Sequence, residues 1–223
     1  MRIIVINNTT LATAQQVADY IAAQQIQLTR DFAPEWGIQA VIAIGTIANV
    51  MPTDYVLHLV DTDNSEPGAL GWHIEQADRP YGIVPLKLSI DAGDSWQATA
   101  SHEIIEMLGD PYINLCVEGT FHGKPALYAY ELCDAVENDE YDINGVKMSN
   151  FLFPAWFVQD TPKGDRIDFL GKLPSPFALD SGGYISYCTK LGHWQQIQGD
   201  ELPAHQAVPH KLSRRHRRIN QHV

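Results

Sequence analysis

"TASHEIIEMLGDP", Thr99 to Pro111, is the stretch that decides how the rest of the chain reads. It contains His102-Glu103-Ile104-Ile105-Glu106. A helix turns about 100° per residue, so His102 and Glu106, four apart, share one face. Glu103 is rotated to the side. That arrangement pinches a metal between two ligands at i and i+4. The intervening Glu can then act as general base on a metal-bound water, which is the mechanics of the HExxH helix. Here Glu106 stands where the second His of that pattern belongs. A carboxylate oxygen binds zinc at nearly the same distance as an imidazole nitrogen, so the exchange keeps the geometry. The donor set becomes harder and more negative. Zinc is the first expectation, with Mn, Fe or Ca as alternatives. A more neutralised metal acidifies its water less, which predicts slower hydrolysis or a higher pH optimum. The competing reading is a polar helix face with a hydrogen bond between positions i and i+4.

A metal needs a third ligand. "YAYELCDAVEND" offers Glu131 and Asp134, and these are the first candidates. Asp110, at the helix end, and His73, in "GALGWH", come next, with His122 in "TFHGK" as a weaker one. The alternative for Glu131 and Asp134 is a solvated turn in an acidic protein.

Outward from the helix, "RIIVIN" (2–7) reads as a buried strand. The segment after it carries Leu11, Val17, Tyr20, Ile21 and Ile26 at roughly helical spacing, with Thr residues to cap it. "IQAVIAIG" is apolar enough to be a central strand, and "DYVLHLVDTD" alternates around His58. "DNSEPGALGWH" reads as a turn-rich loop. "YGIVPLKLSI" reads as a strand, placed at a sheet edge because Pro85 lacks a backbone donor. Asp94 or Ser95 can cap the HExxE helix, and Gly109 with Pro111 ends it. Downstream, "YDINGVK" predicts a hairpin turn and "YISYCT" with "HWQQI" a closing hairpin. The aromatics of "FLFPAWF" read as core, and "TPKGDRIDFLGKLPSPFALDSGGY" as a long loop. The order is β-α-β-β-β-α followed by an irregular half. It predicts an α+β domain over 1–204 with a mixed sheet, and a basic, flexible tail over 205–223.

Composition bounds the rest. The 223 residues, 45% hydrophobic and 19% charged, suit a soluble globular chain. No apolar run reaches membrane-spanning length, and "MRIIVINN" is too short for a signal peptide, so a cytoplasmic location is expected. Cys116, Cys133 and Cys188 show no CxxC spacing and read as free thiols. The tail holds Lys211, Arg214, Arg215, Arg217 and Arg218; taking those five charges from a net of −12 leaves −17 on the remainder. So acidic a body repels nucleic acid, leaving only the tail to touch phosphates.

"SHEIIEMLGDP" followed by "YELCDAVE", Ser101 to Glu137, resembles the zincin superfamily of metallopeptidases in an HExxE variant. It is similar to bacterial and phage-borne proteins with an HExxE-xxx-DP helix and a later ExxD element. It departs from the longer HExxHxxGxxH pattern, of which Gly109 is kept and Tyr112 fills the last His position. The resemblance implies a mixed sheet whose edge strand lies beside an extended peptide substrate, then the active-site helix, then an irregular lower half. It implies one divalent metal held by His102, Glu106 and either Glu131 or Asp134, with Glu103 as the base, acting on a peptide or protein. The alternative is a non-catalytic phage-related structural or binding protein on the same scaffold, virion-associated, with the metal bracing the fold.

Overall fold

β1 (Arg2–Asn7), a run of β-branched residues, is the seed of a five-stranded sheet. The computed structural model describes residues 1–121, 124–189 and 193–199 of the chain. These divide into two compact units: Met1–Tyr112 with Glu140–Ser149, and Ile113–Asp139 with the chain from Asn150. The basic tail predicted over 205–223 and the candidate ligand His122 lie outside the described residues.

In the first unit, β2 (Val41–Gly45), β1, β3 (Tyr55–Val60) and β5 (Pro80–Pro85) run parallel in that order. β4 (Trp72–Glu75) adds antiparallel to β5 at the edge. The crossover from β1 to β2 is α1 (Ala14–Ile26), opened by a capping box at Thr13 and Gln16. A wider helical turn over Gln27–Phe32 and the short α2 (Ala33–Trp36) extend it, ending at Gly37.

The strand expected to be central lies at an edge. β2 is an edge strand with Val41 and Ile44 exposed, whereas β3 is central with Val56, Leu57 and Leu59 buried. The apolarity of "VIAIG" is matched by shortness rather than by burial. The second correction is larger. "YGIVP" is paired on both sides, so it is not the edge. Pro80 and Pro85 sit at its ends, where a missing donor does least harm. "LKLSI" is no strand but the start of α3 (Leu86–Ala92), closed by Gly93 at φ 80°. The edge is β4, inside what reads as loop.

α4 (Trp96–Gly109) carries the HExxE letters. Ser95 is its cap, its Oγ accepting from Ala98 N at 3.2 Å. Val5, Leu57 and Gly82 lie side by side in register, and a Cβ on Gly82 would meet Leu57 Cδ1 at 2.9 Å and Met107 Cε at 3.3 Å. The missing side chain therefore lets α4 sit close to the sheet. The predicted hairpin forms: β8 (Glu140–Ile143) and β9 (Val146–Ser149) turn through Asn144 and Gly145 at positive φ. It holds α4 in place, since Ser149 N donates to Ser101 Oγ at 3.2 Å and Ser101 Oγ donates to Gln27 Oε1 at 2.7 Å.

The second unit is an antiparallel sheet in the order β11 (Trp194–Gln198), β10 (Tyr184–Thr189), β7 (Lys124–Ala129) and β6 (Cys116–Phe121). Its core takes Phe151, Leu152, Phe153, Trp156 and Phe157, as the sequence suggests. Residues 158–183 are largely irregular but anchored by buried Ile167 and Asp168. The architecture is mixed α+β. Among the described residues no helix is long and apolar enough to cross a membrane. Among the described residues no disulfide joins the cysteines; Cys116 is exposed and the other two are buried.

Candidate metal centre

α4 is buried along almost its whole length, and that is what makes its polar letters unusual. Glu103 and Glu106 are both 0% exposed and His102 is 3% exposed. The helix contains no Lys or Arg. Two carboxylates taken out of water need compensating positive charge close by. Two imidazoles are among the side chains that face them. His102 Nε2 stands 3.1 Å from Glu106 Oε1, one helical turn apart as the spacing predicts.

The second imidazole is His73, buried at 3% exposure. Its Nδ1 lies 3.3 Å from Glu103 Oε2 and 3.7 Å from Glu106 Oε2. The path from sequence to this contact is short. β4 pairs with β5 so that His73 stands opposite Gly82, whose face looks at Met107 of α4. Alternation then turns His73 to the helix. Gly71, two residues earlier, faces the same way. A Cβ there would meet Glu103 Oε1 and Thr99 Cγ2 at 2.8 Å each. Glu103 is thus flanked by His73 on one carboxylate oxygen and by the bare backbone of Gly71 on the other. Its charge is also felt by Tyr20, whose hydroxyl is pushed well above the ordinary tyrosine range, first by burial and second by Glu103.

The structure brings His102, Glu103 and Glu106 together with His73 in the first unit. Asp110 is the C-cap of α4, its N–H donating to Glu106 O at 2.8 Å, and its side chain is buried. Glu131 and Asp134 belong to the second unit, where both are buried beyond the end of β7. Asp134 opens a single helical turn (Asp134–Val136) and has a carboxylate oxygen within 4.8 Å of one on Glu137. They are not the solvated turn that an acidic protein would suggest.

His73 ranks low in the sequence because its strand is hidden. The turn joining β4 to β5 puts Ala77 and Asp78 at φ 54° and 59°, with Gln76 N donating to Arg79 O at 2.8 Å. That is the hairpin geometry usually announced by Asn-Gly or Asp-Gly, and neither is there. The available signal was the alternation Trp72-His73-Ile74-Glu75 directly before "YGIVP".

His102 with Glu106, and His73 with Glu106, are among the side chains whose ligand atoms lie close enough together to hold a metal ion. Ligand atoms about 2.0–2.1 Å from one tetrahedral ion stand roughly 3.3–3.4 Å from each other. Taken pair by pair, His102–Glu106 at 3.1 Å, His73–Glu103 at 3.3 Å and His73–Glu106 at 3.7 Å are near that spacing. No family model, no curated protein and no solved structure matches the chain.

Proposed function

We propose that this chain is a metal-dependent hydrolase of the zincin type, and that it cleaves peptide bonds. The observation that carries the reading is the buried cluster on α4, in which Glu103 sits beside His102 and Glu106 with no basic residue in the helix. His102 and Glu106 would hold the metal, zinc in the first place. The resemblance to HExxE zincins offers Glu131 or Asp134 as the third donor. When bound, the cation supplies Lewis-acid polarisation of the scissile carbonyl and a more acidic attacking water. Glu103 takes the water's proton on its carboxylate and returns it to the leaving amine. Gly71 and His73 fix its orientation. The substrate, an extended peptide, would add along β4, the antiparallel edge strand that delivers His73 to the helix.

The test is zinc-loaded full-length protein incubated with a peptide library, with new termini read by mass spectrometry. Cleavage that disappears in Glu103→Gln, with zinc content unchanged, is the expected result. Zinc bound without cleavage would instead favour the non-catalytic scaffold.

A further inference from the structure

We propose that Gln27 is a positioning residue of the metal centre: through Ser101 it sets the rotation of α4 about its own axis, and with it the place of His102 and Glu106. This rests on the metal reading above and deepens it. Seen down α4, Ser101 lies about 120° to one side of the face that His102 and Glu106 share, and Glu103 about 80° to the other. Both flanks are held. On the Glu103 side stand His73 and the backbone of Gly71. On the Ser101 side stands Gln27. Its Oε1 accepts from Ser101 Oγ and from Gln24 Nε2, at 2.7 Å each. Its Nε2 donates to Ser149 O at 3.0 Å, and Ser149 N closes the ring on Ser101 Oγ at 3.2 Å. One amide thus ties the end of α1, α4 and β9 together within one unit.

Gln24, Gln27 and Ser101 are all 0% exposed, in a region where apolar side chains would pack as readily. What they add is direction. Apolar contact is non-directional and lets a helix turn on its axis, whereas a hydrogen bond weakens steeply off its line. Ligand atoms stand about 5–6 Å from a helix axis, so a rotation of about 10° carries them about 1 Å. Metal–ligand distances hold to within about 0.2 Å. Gln27 also opens the widened helical turn Gln27–Phe32, an irregularity of the kind that recurs at functional sites.

Zinc affinity, read by competition of the metal-free full chain against a fluorescent zinc indicator, tests this beside urea midpoints on the same preparations. Gln27→Met and Ser101→Ala should each weaken zinc binding about 10–100-fold, the usual cost of losing a group that orients a ligand. The double variant should lose no more than the worse single one, because both break the same bond. Ile42→Val, a buried change in β2 outside the network, should lower the urea midpoint and leave zinc affinity as in the wild type. Ser101→Ala removes a single oxygen and decides the matter if Gln27→Met does not fold. Zinc affinity within about threefold of the wild type in either folded variant would overturn the proposal while leaving the metal reading in place. No zinc uptake by the wild type would overturn both.

Discussion

Gly71 and Glu103 show how much of this site rests on single atoms. An added Cβ at 71 would meet a buried carboxylate oxygen and a threonine methyl at 2.8 Å. Neither neighbour is the loose end of an exposed chain. Gly71→Ala should therefore cost about 1–3 kcal/mol, the usual range for overpacking, read from urea denaturation midpoints. A change below a few tenths would mean that Glu103 moves freely. Away from the site, Asp139 gives a prediction in pH. Burial first, then a hydrogen bond with Asp180, raises its carboxyl from 3.8 to about 6, with Lys172 opposing. Between those values the folded chain binds more protons than the unfolded one, so stability falls as pH rises through the window. Asp180 is held low by the same bond, so its opposite contribution arises below 3.8. In Asp139→Asn the melting temperature should fall less between pH 4 and 6 than in the wild type; parallel slopes would refute the assignment. At this scale His102, Glu103 and Glu106 were legible because helical spacing places them without tertiary knowledge. His73 was not, because its position depends on pairing with Gly82 across a turn that lacks the usual residues.

At the scale of elements, what could be read locally was read. β1, α4 with its Ser95 cap, the Asn144–Gly145 hairpin and the β10–β11 pairing each follow from a cap, a turn or a periodicity. Most of the misreadings concern which strand lies where. Whether "VIAIG" is central and "YGIVP" peripheral is decided by partners far along the chain, and no local pattern reports them. "LKLSI" turns helical because Pro85 ends the ladder and Gly93 closes the turn, although its residues suit a strand equally well. The cap of α4 is open to direct test. Ser95→Ala removes the acceptor for Ala98 N and should lower stability by about 1 kcal/mol, measured by denaturation. An unchanged midpoint would show that packing alone fixes the start of this helix.

At the scale of the molecule the central question is charge. Two carboxylates and two imidazoles are buried on one helix and one strand, and the account places a cation among them. A cation that binds only the folded chain stabilises it by mass action. Free zinc at a hundred times its Kd adds about 2.7 kcal/mol. For a chain of this length that corresponds to a rise of roughly 5–10 °C in Tm by differential scanning fluorimetry, reversed by a chelator. The most direct measurement is metal content by elemental mass spectrometry on full-length protein purified without a metal-affinity tag, beside Glu106→Ala. The account predicts about one equivalent of zinc or another transition ion in the wild type, and its loss in the variant. No metal in either protein, even after incubation with each ion, would contradict it.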